Sequence, residues 1–453
     1  MENYDKLLND IDIYIKKHKT EIIEDLKTLV EIPSVRAKAV DGMPFGKPCY
    51  DILEASLKLM EKEGFKGQVS KGGEYVCATN RNDGKTIGIF AHGDVVSADG
   101  EWLYGKPFEL TEKDGFLIGR GCNDDKSGII QMLYASKIIK ELKIPVKSRL
   151  MLFVGGNEED GMDDIKAFVD NESMPDVSII PDGEYPYYRG EKSIVRLMLK
   201  SKVPFRSIKS MSGGSCYNVI PDNLSVVYSD GEIKNIKGIS GHSANPEGTL
   251  NPLIVFAKES EYDDRLSCED KKILENICEI FEDNYGTGLG IAYEDELFGK
   301  LTCTNGIIKT EDNILSISLD IRHSPYVSCE DIINKIKTVV KDDWDIVYTY
   351  SSKGYLINED NPYAIAVSDA YKIAIGNPEE VRGKIISGAT YTRYLNNSYS
   401  IGTVMYDIGG RPDMPKGHGG VHQPDEAMSL KGFLEAIKTL TLAIIKVDEI
   451  LND

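Results

Sequence analysis

The stretch KTIGIFAHGDVV, residues 85–96, places a histidine and an aspartate directly after a short apolar run. The run KTIGIFA, residues 85–91, is typical of a buried strand. His92 and Asp94 follow it two residues apart, so on an extended chain their side chains point to the same side. A metal-binding histidine commonly donates its second ring N–H to a carboxylate or carbonyl, which Asp94 can supply. Taken alone, the pair fits a supported metal ligand and an ordinary strand-end histidine equally well.

The length and charge of the chain indicate a globular protein of two domains. The 453 residues exceed the usual size of one domain, and 41% of them are hydrophobic. The chain has 53 Lys and Arg against 73 Asp and Glu, a formal net charge of −20. This charge argues against nucleic acid and against an anionic membrane as partners.

The distribution of apolar residues and cysteines predicts a cytoplasmic protein. The first residues are polar and lack the apolar core of a secretory signal. No apolar run reaches the roughly 18 residues of a membrane-spanning helix. The eight cysteines include no CxxC pair, so we expect reduced, mostly buried thiols.

Strand and helix patterns alternate in the first 187 residues and again from about residue 358. The predicted elements are two helices within 3–32, a helix over 50–64, strands over 73–79 and 85–91, a helix over about 126–143, strands in SRLMLFVGG and DVSIIPD, a helix over 361–375, a strand over 401–408 and a helix over 428–449. This alternation is the pattern of an α/β layer with a mostly parallel sheet.

The sequence pattern changes between residues 188 and 357. Runs such as VRLMLKS and ILSISLDIRH alternate with a period of two, which indicates antiparallel strands that are half exposed. Helices are predicted among them near 251–260, 268–284 and 328–341. We therefore interpret 1–187 with 358–453 as one α/β domain, into which 188–357 is inserted as an α+β domain.

Further polar residues lie at predicted strand ends and helix starts. They are Asp124 and Asp125 before the helix at 126, Glu158 and Glu159 after SRLMLFVGG, Asp182 in DVSIIPD, and His422 in a late glycine-rich loop. Ligands of open α/β sheets bind at the carboxyl ends of the strands. Together with His92, these residues offer nitrogen and oxygen ligands that suit two divalent ions of the zinc type.

Each of these residues also has a purely structural interpretation. Glu158 and Glu159 open a helix, where acids are favoured by the helix dipole. One aspartate of the 124–125 pair can be a plain N-cap, and His418 is a neighbouring alternative to His422. Joint occurrence favours the metal site, because a chain with only six histidines places two of them in loops that this fold brings together.

Nine motifs resemble the M20 metallopeptidases, most closely their dipeptidase V and carnosinase-like branch. In chain order they are AHGDVV, GRGCNDDKSG, GGNEEDG, SIIPDGE, NVIPD, GHSANP, LDIRHSP, GATYTR and VHQPDEAMSL. They follow the order of the family and cover nearly the whole chain. The resemblance implies an α/β catalytic domain with a mostly parallel sheet and a dinuclear metal site, and an inserted α+β lid domain over 188–357.

The resemblance also implies residue roles. Asp124 resembles the family's carboxylate that bridges both ions. In that family the peptide bond after the bridging aspartate is cis. The remaining metal ligands would be His92 and Asp182 at one ion and Glu159 and His422 at the other, with Glu158 as general base and Asp94 as the partner of His92. Substrate contacts would come from His242 at the oxyanion, Asn218 and Arg322 at the free carboxylate, and Gly388, Thr390 and Arg393 as further contacts.

The implied function is hydrolysis of the peptide bond of dipeptides by water activated at two ions. We expect Zn²⁺, with Mn²⁺ or Co²⁺ as alternatives, and a monomer whose long lid supplies His242 within one chain. An N-acyl amino-acid deacylase of the same family, such as a deacetylase or desuccinylase, is a second interpretation, because it also cleaves an amide. A non-catalytic binding protein on a peptidase fold is a third, and it predicts loss of a ligand or of Glu158; all are present.

Overall fold

The structure of the protein is a computed structural model, and it describes residues 4–376 and 381–453. The chain divides into two units. Unit 1 comprises Met1–Arg189, Ile357–Lys384 and Thr390–Asp453, and unit 2 comprises Gly190–Leu356 and Ile385–Ala389. Each unit has its own core of buried apolar side chains. The boundaries predicted for an inserted domain, and its role as a lid, stay predictions.

A six-stranded sheet forms the centre of unit 1. In spatial order its strands are Lys66–Val69, Tyr75–Thr79, Arg149–Gly155, Thr86–His92, Val177–Gly183 and Ser398–Gly402. The last four strands are parallel, and the first two are joined to them by antiparallel pairing. Thr86–His92 lies inside the sheet and is buried at every residue, as its apolar sequence predicts. The predicted α/β fold with a mostly parallel sheet is confirmed.

Helices cover the sheet of unit 1. They are Asp5–Val30, Lys47–Lys62, Lys126–Glu141, Asp163–Asn171, Pro362–Ile375, Tyr406–Gly409 and Leu430–Asn452, with a 3₁₀ turn at Tyr391–Tyr394. Leu430–Asn452 packs on both Lys126–Glu141 and Pro362–Ile375. The short strands Thr111–Lys113, Phe116–Ile118 and Ala427–Ser429 form a separate antiparallel sheet. No helix in the described parts of the chain is long and apolar enough to cross a bilayer.

Two predicted elements of unit 1 were wrong. The region 3–32 holds one helix, Asp5–Val30, because the polar segment between its apolar groups contains neither glycine nor proline and continues the helical periodicity. The strand predicted over 401–408 ends at Gly402 instead. Val404 and Met405 are buried in the helical core of the unit, so their apolar character reflects packing outside the sheet.

Unit 2 is built on an antiparallel sheet. In spatial order its strands are Ile233–Lys237, Asn223–Tyr228, Ile208–Gly213, Ile308–Glu311, Ile314–His323, Ser193–Ser201 and Trp344–Ser352, with Thr302–Thr304 paired to Ile314–His323. The helices of this unit are Pro252–Glu259, Cys268–Ile280 and Cys329–Val340, with a 3₁₀ turn at Ser260–Tyr262. The remaining short strands of the chain are Tyr188–Glu191, Val219–Ile220, Gly241–His242, Glu294–Asp295, Gly299–Lys300, Tyr355–Leu356 and Lys384–Ile386. The period-two pattern of this region correctly indicated antiparallel strands.

Candidate metal centre

All five predicted metal ligands lie together in unit 1, at the carboxyl edge of the parallel strands. His92 ends its strand, Asp182 lies near the end of Val177–Gly183, Glu159 follows Arg149–Gly155, Asp124 precedes the helix Lys126–Glu141, and His422 precedes the strand Ala427–Ser429. His92 pairs with Gly155 across parallel strands, so the loop that carries Glu159 starts beside it. Strand order therefore explains how His92, Asp182 and the loop of Glu159 meet, and two further loops bring Asp124 and His422 to them.

Asp124 presents one carboxylate oxygen to each of two histidines. Its Oδ1 is 3.0 Å from His92 Nε2, and its Oδ2 is 3.2 Å from His422 Nε2. Glu159 Oε2 is 3.0 Å from His422 Nε2, and Asp182 Oδ1 is 4.0 Å from His92 Nε2. A carboxylate placed between two histidine nitrogens, with one further carboxylate on each side, offers donors of the kinds that zinc-type ions bind.

Two overlapping groups of side chains can hold an ion, judged from their mutual distances. The ligand atoms of His92, Asp124 and Glu159 lie within 4.8 Å of one another, as do those of His92, Asp125 and Asp182. Both oxygens of Asp125 already accept backbone N–H bonds, which favours Asp124 as the candidate ligand of the pair.

The two adjacent aspartates have different partners. Asp125 is the N-cap of the following helix: its Oδ1 accepts from the N–H of Gly128 at 3.2 Å, and its Oδ2 accepts from the N–H of His92 at 3.2 Å. The peptide bond between Asp124 and Asp125 is cis, as the family resemblance implies. The carboxylate of Asp124 is directed to the histidines, whereas that of Asp125 stabilises the helix and strand ends.

Electrostatics indicate that the cluster is short of positive charge. Burial, followed by the charge of Asp182, raises the pKa of Glu158 well above its ordinary value. Burial opposes the charged form of His422, but the charge of Glu159 and hydrogen bonds to Asp124 and Glu159 raise its pKa to about 11. The negative charges of neighbouring carboxylates make it harder for each to ionise, and a bound cation would relieve this repulsion. The histidine nitrogens and carboxylate oxygens of the cluster are also ligands that divalent ions of the zinc type accept.

Asp94 supports two parts of this site. The Nδ1 of His92 is 3.0 Å from the carbonyl oxygen of Asp94 and 3.4 Å from its carboxylate. The two carboxylate oxygens of Asp94 accept from the N–H groups of Glu158 and Glu159 at 3.0 and 3.1 Å. Asp94 therefore contacts the His92 ring, as predicted, and also holds the backbone of the two glutamates.

Glu426 organises the loop that carries Asp124, a role that the sequence pattern did not predict. One of its oxygens accepts from the N–H groups of Asn123 and Asp124 at 2.9 and 3.1 Å. The other accepts from the N–H of Gly121 at 3.0 Å and from Arg120 at 2.7 Å. Arg120 and Glu426 are both almost fully buried, so they form a buried ion pair beneath the loop. The only sequence signal was the position of Glu426 close to His422.

His418, the neighbouring alternative to His422, has a different environment. Its Nδ1 is 2.6 Å from the carboxylate of Asp425, which also accepts from the N–H groups of Leu103 and Tyr104. Within the described residues, His418 belongs to neither group of ligand atoms. The geometry therefore favours His422 as the second nitrogen ligand.

The predicted substrate residues of unit 2 are joined through Ser243 and Asp320. The N–H of Ser243 donates to the carbonyl oxygen of Asn218 at 2.9 Å, and its hydroxyl donates to Asp320 at 2.8 Å. Arg322 donates to the same Asp320 carboxylate from Nε and from a terminal nitrogen, at 2.6 and 3.2 Å. His242, next to Ser243, pairs with the residue that follows Asn218. Unit 2 thus brings Asn218, His242 and Arg322 into one region.

The residues predicted from GATYTR fall into both units. Gly388 belongs to unit 2, whereas Thr390 and Arg393 belong to unit 1. The hydroxyl of Thr390 is buried and accepts from the N–H of Thr392, which caps the 3₁₀ turn. The Tyr391 hydroxyl donates to Asp164 at 2.5 Å. This contact anchors the turn, so part of the motif has a structural role.

A cavity of about 490 Å³ lies beside the metal centre within unit 1. Asp124 and Asp182 line it, together with Tyr406, Arg411 and His418. A volume of this size accommodates a small organic molecule next to the proposed metal ligands.

Comparisons with known proteins agree with this geometry. The model of "Peptidase family M20/M25/M40" matches residues 88–446. The chain is 24% identical over 477 residues to "Putative dipeptidase YtjP" of Bacillus subtilis (strain 168), covering 96% of this chain and 99% of that protein. The structure of human carnosine dipeptidase 1 is similar at a TM-score of 0.63 and 16% identity, covering 98% of this chain and 99% of that chain.

A further solved structure has the same fold. It is the Bacillus subtilis YXEP protein, described as a dinuclear metal binding peptidase from the M20 family, with a TM-score of 0.54 and 12% identity. The alignment covers 96% of this chain and 99% of that chain. These structures show the fold, and the family match covers most of the chain. The resemblance found in the motifs is thus confirmed: the protein belongs to peptidase family M20/M25/M40.

Proposed function

We propose that the protein is a metal-dependent dipeptidase whose reaction takes place at the Asp124 centre. The observation that carries the proposal is the position of the Asp124 carboxylate, with one oxygen facing His92 and the other facing His422. Relatives that match nearly the whole chain are named as dipeptidases, and one structure of the same fold is described as dinuclear. Both facts support a two-ion peptidase.

The residues of unit 1 would hold two divalent ions. Asp124 would bridge them, with His92 and Asp182 at one ion and Glu159 and His422 at the other. Zn²⁺ is the first expectation, and Mn²⁺ or Co²⁺ also suit these nitrogen and oxygen donors. When bound, such ions lower the pKa of water toward about 7 and polarise the scissile carbonyl.

Glu158 would carry the proton. It would accept the proton of the attacking water and deliver it to the leaving amine, which is general base and then general acid catalysis. Asp94 positions Glu158 through its backbone N–H.

The roles of unit 2 stay predictions from the resemblance. His242 is proposed to stabilise the oxyanion, and Asn218 and Arg322 to bind the free carboxylate of the substrate. Both carboxylate oxygens of the buried Asp320 accept hydrogen bonds from Arg322. These bonds orient the guanidinium of Arg322 before a ligand binds. Gly388, Thr390 and Arg393 are proposed as further contacts, and the chain is proposed to act as a monomer.

The proposal is tested with the metal-reconstituted protein on a panel of dipeptides and N-acyl amino acids. We expect faster turnover of dipeptides; faster turnover of the acyl set would support the deacylase instead. Glu158→Gln should lower kcat by about 100-fold or more while two ions remain bound. The matched control is Asp160→Asn, an exposed acid of the same loop, which should keep wild-type turnover. Binding of dipeptide without any turnover by the loaded wild type would indicate the non-catalytic alternative.

A further inference from the structure

The cavity beside the metal centre contains a guanidinium for which the dipeptidase proposal has no role. Of the residues that line this cavity, all of them in the described part of the chain, Arg411 is the only lysine or arginine. Its side chain is exposed, and no ion pair to a carboxylate is found for it among residues 4–376 and 381–453. A cation that lines a cavity without an acidic partner is available to an anionic ligand.

Contacts with neighbouring residues hold Arg411 in place. The Cζ of Arg411 lies 3.9 Å from the centre of the Tyr406 ring, which is a close cation–π contact. The hydroxyl of Tyr406 accepts from Asn123 Nδ2 at 2.9 Å, and Asn123 Oδ1 accepts from the Thr403 hydroxyl at 2.8 Å. Asn123 directly precedes Asp124. The guanidinium is therefore connected, through two side chains, to the loop of the proposed bridging carboxylate.

The stacked arrangement leaves the donor edge of the guanidinium available. A ring that covers one face of Arg411 does not use its N–H groups, which can still form a two-pronged pair with a carboxylate. The nearby Glu184, which also lines the cavity, is paired with Lys384 at 2.7 Å. Apart from the proposed metal ligands, and within the described residues, the charged side chain of this cavity without a partner of opposite charge is therefore that of Arg411.

We propose that Arg411 binds a second carboxylate of the substrate, additional to the terminal carboxylate that every dipeptide carries. The preferred substrates would then be dipeptides with an acidic side chain or amino acids with a dicarboxylic acyl group. This inference rests on the proposed function and names the substrate class of the same site. A charged hydrogen bond of this type corresponds to roughly a 10- to 100-fold preference in kcat/KM.

The test uses full-length, metal-reconstituted protein and substrates matched in shape. The pairs are Glu-Ala with Gln-Ala, Ala-Glu with Ala-Gln, and N-succinyl-Ala with N-acetyl-Ala. We expect the wild type to prefer the acidic member of at least one pair by about tenfold or more. The pair that shows the preference identifies the position of the second carboxylate.

Variants of Arg411 should change this preference selectively. Arg411→Met should remove it through a higher KM for the acidic member, with a much smaller change in kcat/KM for the neutral member. Arg411→Lys should keep part of it, because the charge remains and the planar fork is lost. Lys416→Met is the matched control, since Lys416 is an exposed cation of the same loop that does not line the cavity.

The possible outcomes separate this inference from the function on which it rests. Equal turnover of acidic and neutral members by the wild type would overturn the inference while leaving the dipeptidase intact. An equal loss on both members in Arg411→Met would also overturn it, because Arg411 would then serve a group common to all substrates. No cleavage of any pair by the metal-loaded wild type would overturn the proposed function, and the inference with it.

Discussion

Asp124 and Asp125 are identical in chemistry and adjacent in sequence, yet their carboxylates have different partners. Asp125 bonds to the N–H groups of Gly128 and His92, whereas Asp124 faces the rings of His92 and His422. Local sequence could predict that one of the pair caps the helix, but it could not decide which one. The decision depends on the positions of two histidines that are distant in sequence.

Substitution of each aspartate should separate the two roles. Asp124→Ala should reduce bound metal to less than one ion per chain, because both ions lose a shared ligand. Asp125→Asn should retain two ions, since asparagine is an equally good N-cap. Atomic emission after dialysis measures the number of ions bound per chain in each variant. Loss of an ion from Asp125→Asn, with full retention in Asp124→Ala, would reverse the assignment.

Asp164 provides a second prediction at the residue scale, concerning pH. Burial, with a contribution from the charge of Asp94, raises its pKa to about 7, well above the value near 4 of an unfolded chain. Between pH 4 and 7 the folded state therefore binds the proton more tightly than the unfolded state. The contribution of Asp164 to stability is present below about pH 4 and is lost as pH rises to about 7.

Asp164→Asn should flatten this pH dependence. We expect the unfolding free energy of the chelated wild type to fall from pH 4 to 7, and the variant to show a smaller slope over that range. The variant should also be less stable by about 1–3 kcal/mol, because Tyr391 and two backbone N–H groups bond to this carboxylate. Asp170→Asn, an exposed change on the same helix, is the control. An unchanged slope in Asp164→Asn would contradict the raised pKa.

At the scale of elements, the strand Ile314–His323 combines a structural role with the binding role proposed for Arg322. Asp320 and Arg322 lie two residues apart on one face, and Asp320 is opposite Arg196 of the neighbouring strand. Arg196 and Arg322 both donate to the Asp320 carboxylate, which is fully buried. Burial acts to raise the pKa of Asp320, but the charge of Arg322 lowers it below its ordinary value. The strand thus keeps a buried acid ionised.

Asp320→Asn should destabilise unit 2 strongly. It leaves the buried guanidinium of Arg322 without a full counter-charge, which typically costs about 3–5 kcal/mol. Asp345→Asn removes an exposed acid that pairs with Lys202 and should cost less than about 1 kcal/mol. Urea unfolding of both variants makes the comparison. A similar, small change in both would show that the Asp320 network contributes little to stability.

The local sequence predicted helices and strands well, but it did not predict hydrogen bonds between residues that are far apart in the sequence. The strand Thr86–His92 was predicted over 85–91, because seven buried residues produce a continuous apolar run. The contact of Glu426 with the N–H of Asp124 spans 302 residues, and that of Ser243 with Asp320 spans 77. Residues that form such contacts show no periodic pattern in the sequence, because each contact depends on how the whole chain folds. The proposed ligands could be named from the sequence because the motifs that contain them follow the order of the family.

At the scale of the whole molecule, metal should contribute to the stability of the protein. A ligand that binds only the folded state stabilises it by about 2.7 kcal/mol at a free concentration of 100 times its Kd. Removing metal with a chelator should therefore lower the Tm by roughly 3 °C or more for a chain of this length. Asp124→Ala should show no further decrease with chelator, which differential scanning calorimetry would reveal. An unchanged Tm in chelated wild type would contradict metal binding to the folded state.

The proposed monomer also gives a prediction for mixed chains. If His242 works within its own chain, mixing Glu158→Gln with His242→Ala should not recover activity, because each chain lacks one group. Recovery of up to about one quarter of the wild-type rate would show that the histidine works across chains, as expected for statistical pairing in a dimer. Sedimentation of the wild type at the assay concentration gives the oligomeric state independently.

The hydrogen bonds of Glu426 have a consequence for synthesis of the chain. Asp124 leaves the ribosome while Glu426 and His422, which hold and face it, have not yet been made. The strand that ends at His92 can form early, but the backbone N–H groups of Asn123 and Asp124 lack their acceptor until Glu426 has been translated. A nascent or truncated chain therefore lacks a finished ion site. Metal binding at the proposed centre should therefore follow synthesis of the segment that contains His422 and Glu426.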